Sequence, residues 1–127
     1  MILLEDAQRM AAAARQSAVE NGLTVVIAVV DDGGHLILLE KMDGTQKGSV
    51  RVAEQKARTA ILFKRPTKAF EDAVLQGRPV MATIPDVICL EGGIPVVRDG
   101  VDLGAIGVSG ARSFEDGKIA EAGLEAL

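Results

Sequence analysis

Residues 23–41 have the sequence LTVVIAVVDDGGHLILLEK, in which a glycine turn separates two apolar runs. β-Branched residues dominate Leu23 to Val30, and an unbroken run of this kind is typical of a strand buried on both faces. Asp31-Asp32-Gly33-Gly34 indicates a tight turn, because glycine accepts the positive φ that such turns require. A second strand is predicted from His35 to Lys41, before Met42-Asp43-Gly44. This stretch therefore predicts a β-hairpin.

Helical patterns lie on both sides of the hairpin. Apolar residues recur at spacings of three and four before Asn21-Gly22, a pair that is typical of a helix end. Ser49 and Ser113 are the expected N-caps of later helices, with Asp116 in capping-box spacing to Ser113. Four helices are predicted, over Leu4–Glu20, Ser49–Phe63, about Lys68–Gln76 and Glu115–Leu127.

Three further strands are predicted in the second half of the chain, over Val87–Leu90, Ile94–Arg98 and Leu103–Ser109. The order of elements is then α-β-β-α-α-β-β-β-α. Hairpin-length connections favour an antiparallel sheet of five strands flanked by helices, an α+β sandwich. The length of 127 residues fits a single domain that spans residues 1–127.

The scarce residue types exclude several classes of site. The chain has no Trp, no Tyr, three Phe, one His and one Cys, which is Cys89. An intrachain disulfide is therefore excluded. A zinc site built from His and Cys needs three or four such ligands, so no metal site is expected. Few aromatic residues and a net charge of −4 predict that no nucleic acid is bound.

The apolar segments bear on location and assembly. No basic segment precedes the first apolar residues, and Val25 to Val30 is too short to cross a bilayer. We therefore expect a cytoplasmic protein that does not enter membranes. The mean hydropathy of +0.24 is high for so small a chain, which predicts that apolar surface meets another copy in a homo-oligomer.

His35 and Lys56 are the first candidate site residues. His35 carries the only imidazole, the side chain that most readily changes charge near neutral pH. It follows a glycine turn, where it either faces a ligand or faces water. Lys56 flanks the apolar stripe of the second helix. Its ammonium either snorkels to water or stands at the lip of a pocket, where it would hold a carboxylate or propionate.

Glycine-rich segments supply the other candidates. Gly92-Gly93 forms a turn between two predicted strands, and glycines interrupt the strand that ends at Ser109. Glycine inside a strand usually marks the close approach of a ligand or of another part of the chain. Ser109-Gly110 either offers N–H groups to an anion or forms a strand-end turn. The spacing excludes the G-x-G-x-x-G dinucleotide pattern and the G-x-S-x-G nucleophile pattern.

Several segments together resemble the GlcG/HbpS-like family, which includes the C-terminal domain of PduO-type proteins. The match covers nearly the whole chain and keeps the order and spacing of its blocks. The blocks are Ala28–Asp31 with Gly33–Leu36, Met42–Gly44, Lys56-Ala57 with Thr59-Ala60, Phe63, Pro66-Thr67, Gly92-Gly93 with Pro95, Gly104–Gly110, and Ala122-Gly123.

The resemblance implies a sandwich around a five-stranded antiparallel sheet, and homo-oligomers. It also implies a protein that binds a small ligand, above all haem or a related tetrapyrrole, at a pocket of the oligomer. His35 would then be the axial donor, and Lys56 would pair a propionate. The cofactor-binding set expected on this basis is His35, Lys56, Phe63, Gly92, Gly93, Ser109 and Gly110.

Two other functions stay open at this point. One is a catabolic enzyme or accessory protein that acts on a small carboxylate or carbonyl metabolite. In that case His35 would be the catalytic acid or base, and Lys56 would anchor the carboxylate. The other is a non-catalytic assembly partner, in which the glycines allow tight packing between subunits.

Overall fold

Four antiparallel strands form one sheet in the structure, a computed structural model of residues 1–127. The order across the sheet is β2-β1-β4-β3, so β1 and β4 are central and the other two strands are edges. The predicted hairpin is confirmed as β1 and β2. The strands are β1 (Val26–Asp31), β2 (Leu36–Lys41), β3 (Gly93–Arg98) and β4 (Val101–Ser109).

The α+β class is confirmed, but the sheet has four strands and not five. The predicted strand Val87–Leu90 is a loop, because its backbone groups bond outside any ladder. The N–H of Val87 donates to the carbonyl of Ile84 at 3.3 Å, and the N–H of Ile88 donates to Thr59 Oγ1 at 3.2 Å. Pro85 and the left-handed Asp86, with φ 60°, precede this stretch and turn the chain away from the sheet.

The helices match their predicted positions closely. They are α1 (Leu4–Glu20), α2 (Ser49–Phe63), α3 (Lys68–Leu75), a 3₁₀ turn (Pro79–Thr83) and α4 (Ser113–Glu125). None of them combines the length and the apolar character that crossing a membrane requires.

The predicted N-caps are wrong by one residue. Gly48 caps α2 and Arg112 caps α4, so that Ser49 and Ser113 are the first helical residues. At α4 the carboxylate of Glu115 accepts the N–H of Arg112 at 3.1 Å, the return bond that was expected from Asp116. The Asp116 carboxylate therefore does not supply this return bond of the helix cap.

Alternate residues of β1 enter two different cores, as expected for a strand buried on both faces. Ile27 and Val29 pack with α1 and α4, whereas Ala28 and Val30 face α2. Most of the contacting residues are Ala, Val or Gly, so the layers approach closely. A Cβ on Gly107 of β4 would collide with the backbone of α2, 2.6 Å from the nitrogen of Ala57.

Candidate functional site

His35 lies in the β1–β2 turn with its side chain 80% exposed. Its Nδ1 is 3.3 Å from Oδ1 of Asp31, and the same oxygen accepts the backbone N–H groups of Gly33 and His35 at 2.9 Å. The pKa of Asp31 is lowered mainly by the N–H of His35, and further by the N–H of Gly33 and by the nearby imidazole. Burial opposes this shift. The carboxylate thus lies beside Nδ1, and Nε2 has no protein partner.

A cation and two leucines lie at or beside the turn that carries His35. Arg58 of α2 donates from Nη1 to the carbonyl of Gly34 at 2.9 Å, which ties α2 to the turn. A Cβ on Gly34 would lie 3.7 Å from Leu62, so this leucine stands beside the turn. Leu36 and Leu62 are 45% and 49% exposed. The hairpin end therefore presents an imidazole, a guanidinium and apolar surface to the outside.

Phe63, the aromatic residue of the predicted site, belongs to another contact. Its ring packs edge-on against Phe70 of α3, with the ring centroids 5.5 Å apart and an interplanar angle of 79°. Arg65 covers the Phe70 ring at 5.4 Å from its centroid. Phe63 therefore helps to hold α3 on the end of α2.

Lys56 is placed differently from either sequence-based expectation, since its side chain neither reaches water nor stands at the lip of a pocket. It is 1% exposed, and its Nζ donates to the carbonyl of Val108 at 2.9 Å and to Oδ2 of Asp116 at 3.0 Å. The side chain passes the end of β3 and so joins α2 on one face of the sheet to α4 on the other. Both acceptors lie far along the chain, which is why the local pattern did not reveal them.

Asp116 is the partner that sequence analysis missed. It is 2% exposed, and its Oδ1 accepts the N–H of Ala111 at 2.9 Å. Burial raises the pKa of Asp116, although the Lys56 ammonium and two backbone N–H groups oppose the shift. In the sequence it stands in an acidic pair at a helix start, a place where carboxylates are common and usually exposed.

Gly92 and Gly93 make room for Lys56. A Cβ on Gly92, whose φ is 137°, would lie 2.6 Å from the Val108 carbonyl and 2.8 Å from Lys56 Nζ. A Cβ on Gly93 would overlap the Lys56 carbonyl, and the N–H of Gly93 donates to Thr67 Oγ1 at 2.9 Å. Gly92-Gly93, predicted as a turn between two strands, instead leads from a loop into β3 and leaves room for the Lys56 side chain.

The outer side of the same glycines lines a cleft of about 160 Å³, which we call the Gly92 cleft. Because Lys56 Nζ is in contact with Gly92, the ammonium lies directly behind the wall of the cleft and does not open into it. The cleft runs between the start of α3, the start of β3 and α4. Its walls are Pro66, Lys68, Glu91, Gly92, Gly93, Ile94, Gly117 and Glu121.

Ser109 and Gly110 follow Val108 at the same end of β4 as the Lys56 ammonium. Ser109 Oγ donates to Ser49 Oγ at 3.2 Å, and Gln46 Nε2 also donates to Ser49 Oγ, at 2.9 Å. A Cβ on Gly110 would lie 2.7 Å from the carbonyl of Thr24. Within one chain, these two residues bond and pack against their neighbours.

One chain does not bring all the predicted site residues together. In the β1–β4 ladder, Val26 pairs with Ser109 and Asp31 pairs with Gly104. Five residues along a strand span about 16 Å, so Ser109 and the turn at His35 lie at opposite ends of the sheet. The predicted residues thus separate into His35 at the turn and a second group at the end of β4, where Lys56 bonds to the carbonyl of Val108, the residue before Ser109. No group of three or more His, Cys, Asp or Glu side chains is placed to hold a metal ion.

Comparison with known proteins gives consistent similarities. The model of a family described as "Haem degrading protein HbpS-like" matches residues 2–125. Protein GlcG of Escherichia coli K12 is 46% identical over 103 residues, which cover 81% of this chain and 77% of the relative.

Two solved structures share the fold over nearly the whole chain. A double mutant of Streptomyces reticuli HbpS is 35% identical with a TM-score of 0.90, and the match covers 98% of this chain and 86% of that one. A structure described as a PduOC:heme complex is 28% identical with a TM-score of 0.89, and the match covers 97% and 92% of the two chains.

Proposed function

The chain belongs to the HbpS-like family, and from that membership we propose that it binds haem or a related tetrapyrrole in a pocket between copies of the chain. The similarity to a haem complex over 97% of the chain supports this function. A fold alone does not define a ligand, so the proposal depends on whether the residues of this chain suit the group.

The observation that carries the proposal is the state of His35. It is the only histidine, it is 80% exposed, and its Nδ1 faces the Asp31 carboxylate at 3.3 Å. Histidines that ligate metals commonly direct the second ring nitrogen to a carboxylate, which fixes the tautomer and strengthens the donor. Nε2 of His35 would then be the group that holds the haem iron.

The surroundings of His35 also suit a flat apolar ligand with acidic groups. Leu36 and Leu62 would cover one part of the macrocycle, and Arg58 would pair a propionate. Arg58 replaces Lys56 in this role, because the Lys56 ammonium is buried against Asp116. Bound haem would supply iron-centred chemistry, while His35 would hold it and Arg58 would pair its charge. A second copy would close the open side.

Titration with haem, followed at the Soret band, tests the proposal. We expect a saturable shift of the band with the wild-type chain and its loss in His35→Ala. Cys89→Ser removes another donor type and should leave the band unchanged. A wild-type chain without a spectral change in excess haem, or equal binding by His35→Ala, would contradict the proposal.

A further inference from the structure

The Gly92 cleft lies away from the proposed haem site. His35 stands at the β2 edge of the sheet, whereas the cleft is beside β3, the opposite edge. Its volume is about 160 Å³. A cavity of about 150 Å³ accommodates a molecule as large as benzene, so the cleft has room for a ligand of about six non-hydrogen atoms.

One carboxylate in the cleft has no partner. The side chain of Glu91 is half-buried and takes part in no hydrogen bond or ion pair of the protein, although its backbone N–H donates to Glu71 Oε1 at 3.1 Å. It lies against bare helix backbone, since a Cβ on Gly117 would be 2.9 Å from Glu91 Cδ. A partly desolvated carboxylate of this kind gains from any donor that enters the cleft.

The charges around Glu91 favour a cation. Burial is the main cause that raises the pKa of Glu91, and the charges of Glu71, Asp72 and Glu121 raise it further. Lys68 is the one cation that opposes them, and its Nζ is already bound to Asp72 at 2.8 and 3.1 Å. Lys68 is itself a wall of the cleft, so one ammonium stands against the four carboxylates of Glu71, Asp72, Glu91 and Glu121 and the local charge is negative.

The remaining walls suit an alkyl group. Pro66 and Ile94 contribute aliphatic surface to the walls, and Gly92, Gly93 and Gly117 add no side chain that would fill the space. We propose that the Gly92 cleft is a binding site for a small primary ammonium ion. Glu91 and Glu121 accept its N–H groups, and its alkyl chain lies against Pro66 and Ile94.

Nuclear magnetic resonance of the ¹⁵N-labelled full chain tests this site, with n-butylammonium as the probe and butyrate as a probe of equal length and opposite charge. We expect n-butylammonium to cause saturable shifts of the amide signals of Gly92, Gly93 and Gly117. Butyrate at the same concentration and ionic strength should leave them in place. Equal shifts with both probes, or none with n-butylammonium, would overturn the proposal.

Variants of equal size locate the effect in the cleft. Glu91→Gln keeps the shape and removes the charge, and we expect it to raise the Kd for n-butylammonium at least tenfold. Glu20→Gln removes the same charge at an exposed position of α1 and should leave the Kd unchanged. Glu121→Gln provides a second test at the other acceptor, with a smaller increase. An unchanged Kd in both cleft variants would show that the carboxylates do not bind the probe.

Discussion

Lys56 and Asp116 form an ion pair in which both side chains are almost completely buried, at 1% and 2% exposure. Removing two charges from water costs several kcal/mol for each ion, so the pair persists only if other groups share the charge. The carbonyl of Val108 accepts from Lys56, and the N–H of Ala111 donates to Asp116. These bonds fix α2, the end of β4 and the start of α4 in one arrangement.

Removal of one partner should therefore be costly. We expect Lys56→Ala to lower the free energy of unfolding by about 3–5 kcal/mol, because it leaves the Asp116 carboxylate buried and unpaired. Urea denaturation measures this loss. The double variant Lys56→Met with Asp116→Leu buries no charge and should lose less. Lys68→Ala breaks an exposed pair and should cost less than about 1 kcal/mol. Equal losses in Lys56→Ala and Lys68→Ala would refute this account.

Glu91 should make stability depend on pH in a defined direction. Burial raises its pKa in the folded chain above its usual 4.5, so ionisation disfavours the folded state. This penalty is absent below pH 4.5, develops as the pH rises through the folded pKa, and is complete at neutral pH. Glu91→Gln should therefore stabilise the chain at pH 7 by less than about 1 kcal/mol, with no gain at pH 4. Thermal unfolding at the two pH values measures the difference, and a larger gain at pH 4 would contradict the sign.

The elements that follow local rules were predictable from the sequence. Periodic apolar residues located α1 and α2, and the glycine turn located the β1–β2 hairpin. The strand predicted over Val87–Leu90 is wrong. Its β-branched residues suit a strand, but its backbone N–H groups bond to Thr59 and Ile84 and form a loop. In the candidate site, too, the local features were predictable and the long-range contacts were not. The local pattern indicated Gly92 and Lys56 as candidate site residues. Only the folded chain shows that Gly92 lacks a side chain where the Lys56 ammonium passes.

Close packing between α2 and β4 yields a prediction at the level of these elements. Gly107→Ala would place a Cβ against the backbone of Ala53 and 2.6 Å from the nitrogen of Ala57, so the helix must move off the sheet. We expect a loss of about 3 kcal/mol in the free energy of unfolding. Gly48→Ala is the matched control, because that glycine has φ −61° and open space around it. Denaturant unfolding should show Gly48→Ala neutral or slightly stabilised, and a similar loss in both variants would argue against packing as the cause.

At the scale of the molecule, the segment from residue 75 to residue 90 exposes three large apolar side chains. Leu75, Val80 and Leu90 are 76%, 58% and 41% exposed. A standard interface covers about 800 Å² of each partner, which is about 12% of the 6700 Å² surface of this chain. The segment therefore offers a natural contact for a second copy, in agreement with the positive mean hydropathy.

Substituting charged residues into this segment should dissociate the oligomer into single chains. We expect the wild-type chain to have a mass that is a multiple of 13.3 kDa in size-exclusion chromatography with light scattering, and Leu75→Glu with Val80→Glu to fall to 13.3 kDa. Val19→Glu, on the exposed face of α1, should keep the wild-type mass. A double variant that also keeps it would place the contact elsewhere. Because the proposed haem pocket needs a second copy to close it, the separated variant should bind haem more weakly than wild type although His35 is intact.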